Sequence, residues 1–196
     1  MTGVLPRIKG VVPIKPRLYI ISGPSGAGKG TIVQQLLQER PNLKLAVSCT
    51  TRPARPMEKE GEHYFFISER EFFQRRDRGE FLEWANVHGN YYGTPRRLVE
   101  QQLAEGFDVL LEIDVQGAAE VKSAVSDASL IFIEPPSMQV LEQRLRRRST
   151  ELQDAQDRRL SDAYDELRKK ESFDGVVVNV DVEQAVKEVL ALMDAR

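Results

Sequence analysis

Apolar positions along this chain change period several times, and each change predicts an element. Residues 17–22 (RLYIIS) form a short β-branched run that suits a buried strand. Beyond a group of glycines, TIVQQLLQER repeats its apolar positions at helical spacing. LKLAVS (43–48) reads as a second strand, and residues 49–62, with prolines and dense charge, read as a loop. HYFFI (63–67) predicts a strand. SEREFFQRRDR (68–78) predicts a short helix, with Ser68 as N-cap and Glu71 completing a capping box. EFLEWANV (80–87) and NYYG (90–93) alternate like strands of a small mixed sheet. Thr94–Pro95 opens the next helix, hydroxyl as cap and proline in the first turn, and Gly106 closes it.

The later part returns to a simpler rhythm. FDVLLEI (107–113) reads as a strand, VQGAAEVKSAV (115–125) as a helix and SLIFIE (129–134) as a strand. After a PPS break, MQVLEQRLRRR and the charged stretch 152–171 read as helices, and GVVVN (175–179) is the last strand. Asp181 caps a final helix with Val182, Val186, Val189 and Leu190 on one face. Strands alternating with helices predict an α/β fold, a parallel sheet with helices on both faces. The mixed segment at about 49–93 interrupts that core, as does an Arg-rich helical hairpin at about 138–165; residues 1–16 are an irregular basic lead-in.

Composition narrows the picture. The 196 residues, 41% of them hydrophobic, suffice for one sizeable core. The single cysteine, Cys49, excludes an internal disulfide and suits a reducing compartment. No apolar run approaches the ~20 residues that span a bilayer, and prolines and lysines break the N-terminus before a signal-peptide core can form. A cytoplasmic protein is expected, with no membrane partner. The net charge of −2 conceals an asymmetry: residues 1–100 carry 16 Lys+Arg against 10 Asp+Glu, and the remainder 12 against 20. Scattered arginines with one dense group, Arg144, Arg146, Arg147 and Arg148, suit a compact anionic ligand better than a nucleic acid. His63 and His88 have no Cys or Asp at ligand spacing, so no zinc site is expected.

The strongest local signal is Gly23-Pro24-Ser25-Gly26-Ala27-Gly28-Lys29-Gly30-Thr31, set between a strand and a helix. Such glycines let successive backbone N–H groups point at a phosphate at the positive end of the helix. Lys29 adds a mobile charge for β- and γ-phosphates. The strict pattern puts Ser or Thr directly after the lysine; here Gly30 stands there and Thr31 follows. No Asn/Thr-Lys-x-Asp guanine motif of the GTPase type is visible.

An ordered series follows the loop: SCTTRPARP (48–56), GEHYFF (61–66), FLEWA (81–85), GNYYGT (89–94), LEIDVQG (111–117), RLRRRSTE (144–151) and VN (178–179). Together these closely resemble guanylate kinase over about residues 17–195. The resemblance implies a single domain: a three-layer parallel-sheet P-loop kinase core (about 17–48, 94–137 and 166–196), a mixed α+β GMP-binding insertion (about 49–93) and a helical lid (about 138–165). It implies ATP and GMP as substrates, with Mg²⁺, and leaves use of dGMP open. On the ATP side it implies Gly23 to Thr31, Arg144 and Asn179. Lid arginines Arg148 and Arg159 would close on the phosphates and act in catalysis with Lys29 and Arg52.

On the acceptor side the resemblance implies Ser48, Arg52, Arg55, Tyr64, Glu83, Tyr92, Thr94, Glu112 and Asp114. The chemistry agrees with it. Two arginines three apart can fork a phosphate, and phenols add neutral donors. A carboxylate such as Glu83 accepts both donors of the guanine edge, N1–H and the 2-amino group, whereas adenine offers an acceptor and a C–H. Glu112 and Asp114 end a strand where ligands of open α/β sheets sit. They can organise hydrated magnesium, with Thr31, or contact GMP. The family more often has Asp at the position of Glu112, and Gly at those of Met57 and Ser149. Two other readings compete: a non-catalytic guanylate-kinase-like module that binds phosphopeptides, which typically lacks a working phosphate loop, and a related kinase acting on another phosphorylated small molecule such as a sugar phosphate.

Overall fold

The protein is described by a computed structural model that covers residues 15–87, 89–148 and 153–195, with backbone alone at 147, 148 and 153–159. Strand β1 (Leu18–Ser22) lies at the centre of a five-stranded sheet, between β7 (Asp108–Glu112) and β8 (Ser129–Glu134), with β2 (Leu43–Leu45) and β9 (Gly175–Val178) at the edges. Every pairing in it is parallel. All five residues of β1 are buried, as a strand covered on both faces requires. Tyr19 and Ile21 face helices α1 (Lys29–Glu39) and α7 (Val182–Asp194), with Leu36, Val186 and Val189. Leu18 and Ile20 face the other way, toward Val99 of α3 (Arg96–Ala104) and Ala118 and Val121 of α4 (Val115–Ala124). The predicted three-layer α/β architecture is thus present.

A second sheet holds β3 (Cys49–Thr50), β4 (Phe65–Phe66), β5 (Phe81–Val87) and β6 (Asn90–Pro95), in the order β4-β3-β6-β5. It mixes a parallel β3–β4 pair with antiparallel β3–β6 and β5–β6 pairs. Its small core is Phe72 of α2 (Glu69–Asp77), stacked on Phe81 with ring centroids 4.7 Å apart and flanked by Cys49, Phe73 and Tyr91. Helices α5 (Met138–Arg148) and α6 (Gln153–Arg168) form the Arg-rich hairpin, joined through Leu141, Leu145 and Ala163.

Ser68 and Asp181 cap α2 and α7 as expected, accepting from Glu71 N–H and Gln184 N–H. Four local expectations differ, the first being that residues 49–62 are not all loop but open with β3, paired to β4 and β6. Thr94 does not cap α3: Thr94 and Pro95 belong to β6, and α3 begins at Arg96 without a side-chain cap. Its hydroxyl is drawn instead to a buried carboxylate across the strand pair. LKLAVS is not one strand. Pairing with β7 ends at Leu45, and residues 46–48 carry the chain to the second sheet. HYFFI contributes only the two-residue β4.

Phe72→Ala removes the fully buried ring around which the second sheet packs. The expected cost is about 3–5 kcal/mol, read as a lowered midpoint in urea unfolding.

Candidate active site

The loop between β1 and α1 opens at the carboxyl edge of the large sheet, where ligands of such sheets bind. It can take no side chain at two points. A Cβ on Gly23, at φ +138°, would stand 2.2 Å from the Ile133 carbonyl oxygen, and one on Gly28, at φ +95°, 2.4 Å from the Asn179 amide nitrogen. Helix α1 has no side-chain cap, so its first-turn N–H groups remain available to an anion. The Lys29 ammonium folds back over the loop, donating to the Gly23 carbonyl at 2.5 Å and the Pro24 carbonyl at 3.2 Å. Asn179, buried at the end of β9, donates to the Ala27 carbonyl at 2.7 Å, while Arg144 approaches the Gly26 and Ala27 carbonyls at 3.4 and 3.3 Å. Arg144 and Asn179 therefore both brace the back of the loop.

The second sheet supplies the facing wall. Glu83 on β5 is 4% exposed and lies opposite Thr94 in the β5–β6 register. The Thr94 hydroxyl donates to Glu83 Oε1 at 2.5 Å, and Ser48 Oγ lies 3.3 Å from Thr94 Oγ1. With the Thr94 proton given to Glu83, Ser48 is the donor of the second bond. Burial pushes the Glu83 carboxyl up to about 7; the Thr94 bond opposes this, and the charges of Asp114 and Glu120 reinforce it. A buried carboxylate supported by one hydroxyl is short of donors, which suits a ligand edge that brings two.

Arg52 is held by the loop that carries it. Its Nη1 and Nη2 donate to the two oxygens of Glu58, each at 2.6 Å, and its guanidinium lies 5.1 Å from the centre of the Tyr64 ring. Glu58 also accepts from the Arg55 backbone N–H at 2.8 Å, and the Arg52 guanidinium holds its carboxyl down at about 2. Tyr92 packs edge-on against Tyr64, whose ring the Arg52 guanidinium also faces. Burial, helped by the charge of Glu112, pushes the Tyr64 phenol up to about 12, so it remains a neutral donor.

One cavity of about 400 Å³ joins the two walls. It brings together Gly23, Ser25, Gly26, Gly28, Lys29 and Gly30 from the loop with Ser48, Arg55, Tyr64, Glu83, Tyr92, Glu112 and Asp114. Of the remaining expected residues, Arg52 and Thr94 stand just behind this lining, through their bonds to Glu58 and Glu83. Pro24 and Ala27 are buried in the loop, and Thr31 is exposed on the first turn of α1. The side chains of Arg148 and Arg159 lie outside the described residues, as do Ser149 and His88.

The oxygen donors fit a hydrated divalent cation. Glu112 ends β7, with its carboxylate oxygens 3.8 and 3.9 Å from where a Gly30 Cβ would be. Asp114 spends Oδ1 on capping α4, accepting from Gln116 and Gly117 N–H at 2.9 and 2.7 Å. No cluster of three or more His, Cys, Asp or Glu able to cage a metal occurs among the described residues.

Two residues here were not anticipated. Glu58 sits in a run of acidic residues that looks solvated. Glu166 of α6 also lines the cavity; burial, opposed by Lys29 and reinforced by Asp114 and Asp162, pushes its carboxyl up to about 7. Only helical position marks Glu166 in the sequence, and helical position does not say what a side chain meets. Met57 is 87% exposed, so the methionine has open space where the family has glycine.

Known proteins match this chain along most of its length. The family model described as guanylate kinase matches residues 15–196. A guanylate kinase of Symbiobacterium thermophilum is 49% identical, over 94% of this chain and 88% of its own length. One from Thermotoga maritima is 48% identical, over 92% of this chain and 87% of its own. The crystal structure of guanylate kinase from Anaplasma phagocytophilum superposes with a TM-score of 0.78 at 35% identity, covering 92% of this chain and 85% of that one. Matched along nearly its whole length by sequence and by fold, this chain belongs to the guanylate kinase family.

Proposed function

We propose that the protein transfers the γ-phosphoryl group of ATP to the phosphate of GMP, giving ADP and GDP, and that the expected residues act in the roles given above. One observation carries this reading: a single cavity has a phosphate loop on one wall and, on the other, a buried carboxylate backed by Thr94 and Ser48. The carboxylate accepts the N1–H and 2-amino donors of guanine. Arg55, Tyr64 and Tyr92, with Arg52 behind them, bind the acceptor phosphate. We infer three working parts: a core that binds ATP, an insertion of about 49–93 that binds GMP, and a lid of about 138–165. The intact loop lysine favours an enzyme over a phosphopeptide-binding module, and the Glu83 arrangement favours guanine over a sugar phosphate. A reducing cytoplasmic setting suits the buried thiol of Cys49.

The reaction needs no dedicated general base, because the attacking atom is already an anionic phosphate oxygen. The bond to the γ-phosphorus forms as the bond to the β–γ bridging oxygen breaks, and catalysis rests on in-line positioning and charge. Lys29 exchanges its loop carbonyls for donor phosphate oxygens. Arg52, pinned by Glu58, screens the repulsion between attacker and donor. Glu112, Asp114 and Thr31 would hold hydrated Mg²⁺, which supplies charge to the β- and γ-oxygens. Arg148 and Arg159 would add positive charge and help exclude water.

Lys29→Ala is expected to lower kcat more than about tenfold with GMP affinity and fold intact, as measured in a coupled ADP-release assay and by titration with GMP. Glu83→Gln replaces an acceptor oxygen with an amide donor that faces a guanine donor. The kcat/KM ratio of GMP to AMP is expected to fall by about two orders of magnitude, while Arg52→Ala weakens both nucleotides alike.

Protonation gives a further test. The folded-state pKa of Glu83 lies above its ordinary 4.5, at about 7. Its stabilising contribution is therefore full below about 4.5 and is lost as pH rises through about 7. The free protein is expected to melt at lower temperature at pH 8 than at pH 5, and Glu83→Gln to remove part of that fall; Glu166, with the same direction of shift, keeps the rest. GMP affinity is expected to move oppositely, tightening from pH 5.5 to 8, and to tighten less in Glu83→Gln. Melting curves and GMP titrations across pH check both.

A further inference from the structure

We infer that Gly117 is a positioning residue for base selection: its missing side chain leaves the space in which the Glu83 carboxylate stands. This inference deepens the proposed function, resting on Glu83 as the group that reads guanine. Gly117 is buried in the first turn of α4, with its N–H donated to Asp114 Oδ1 at 2.7 Å. No positive φ is recorded for it, so backbone conformation gives no reason for a glycine. By intrinsic propensity alanine would suit this helix better, by about 1 kcal/mol.

The reason lies across the interface. A Cβ on Gly117 would fall 2.5 Å from Glu83 Oε2 and 3.1 Å from Glu83 Cδ. Both distances are shorter than ordinary carbon–oxygen or carbon–carbon contact. The other carboxylate oxygen, Oε1, is tied to Thr94 at 2.5 Å. The helix is itself fixed against β5, because Glu120 one turn later accepts from Trp84 N–H at 3.4 Å. The softest element is thus the carboxylate end of Glu83, and an alanine would displace Oε2 while sparing the backbone. Loss of that position costs one of the two acceptors that guanine needs, whereas adenine asks for neither.

The test is a double-mutant cycle of Gly117→Ala and Glu83→Ala, with kcat/KM measured for GMP and AMP, KM for ATP, and melting temperature. Gly117→Ala alone is expected to lower the GMP-to-AMP ratio by about 10- to 100-fold and to leave KM for ATP unchanged. In the Glu83→Ala background, where the contact no longer exists, the same substitution is expected to change the ratio less than about twofold. A ratio unchanged by Gly117→Ala but lowered by Glu83→Ala overturns this inference and leaves the base reading standing. An equal loss from Gly117→Ala in both backgrounds also overturns it, since the effect would not run through Glu83. A ratio unchanged by Glu83→Ala refutes the base reading itself. Should Gly117→Ala alone fail to fold, the double mutant decides: restored folding supports the contact with Glu83, and continued failure places the cost in the helix and overturns the inference.

Discussion

The pairing of β1 with both of its neighbours is the constraint on which the rest of the molecule depends. Its register sets Ile21 beside Glu112 and Ser22 beside Phe132. The loop that follows therefore emerges with the Ile133 carbonyl against Gly23 and the Glu112 carboxylate against Gly30. A slip of one residue would turn Tyr19 and Ile21 from the α1–α7 face to the α3–α4 face and move the loop off both contacts. Burial on both faces makes such a slip costly, so phosphate-binding geometry follows from core packing.

Around this framework the charges are arranged unequally. On the proposed reading Arg52 holds a phosphate, and it is already oriented by its pair with Glu58 and by the Tyr64 and Phe66 rings. A charged side chain so paired is ordered before its ligand arrives, which reduces the entropy lost on binding. Glu83, the proposed reader of the base, is buried with one hydroxyl donor and with Asp114 and Glu120 near it. Its ionised form is unfavourable in the free protein. A ligand bringing two donors restores what burial removed, and a ligand lacking them leaves the group unsatisfied. Selectivity by an under-supplied buried group thus has a cost in stability, consistent with strain concentrating at functional sites.

The two walls belong to different sheets and are linked chiefly through α4. Asp114 caps that helix at the end of the large-sheet segment, and Glu120 reaches the backbone of β5 in the small sheet. Gly117, between them, lies against Glu83. One short helix therefore transmits the position of the parallel sheet to the Glu83 carboxylate.

Much of this was legible in the order of residues. A short β-branched apolar run marks 17–22 as a buried strand, and the glycine-lysine loop after it implies phosphate binding, because backbone N–H geometry and a helix start are local properties. The Ser68 and Asp181 caps were readable for the same reason. Thr94 was misread as a cap because local preference competes with tertiary demand. A hydroxyl placed opposite a buried carboxylate gains more from that bond than from a solvated helix end. Residues 43–48 were misread as one strand because an apolar run does not reveal where its pairing partner stops. Glu58, Glu166 and Gly117 gave no sign of their places, since each is placed by what folding brings near: the Arg52 fork, the cavity wall and the Glu83 carboxylate. The sequence by itself determined the elements and the chemistry of their ends, because those rest on interactions within a few residues. The tertiary structure alone decided which ends face one another across the cavity, because burial and charge depend on everything packed around a group.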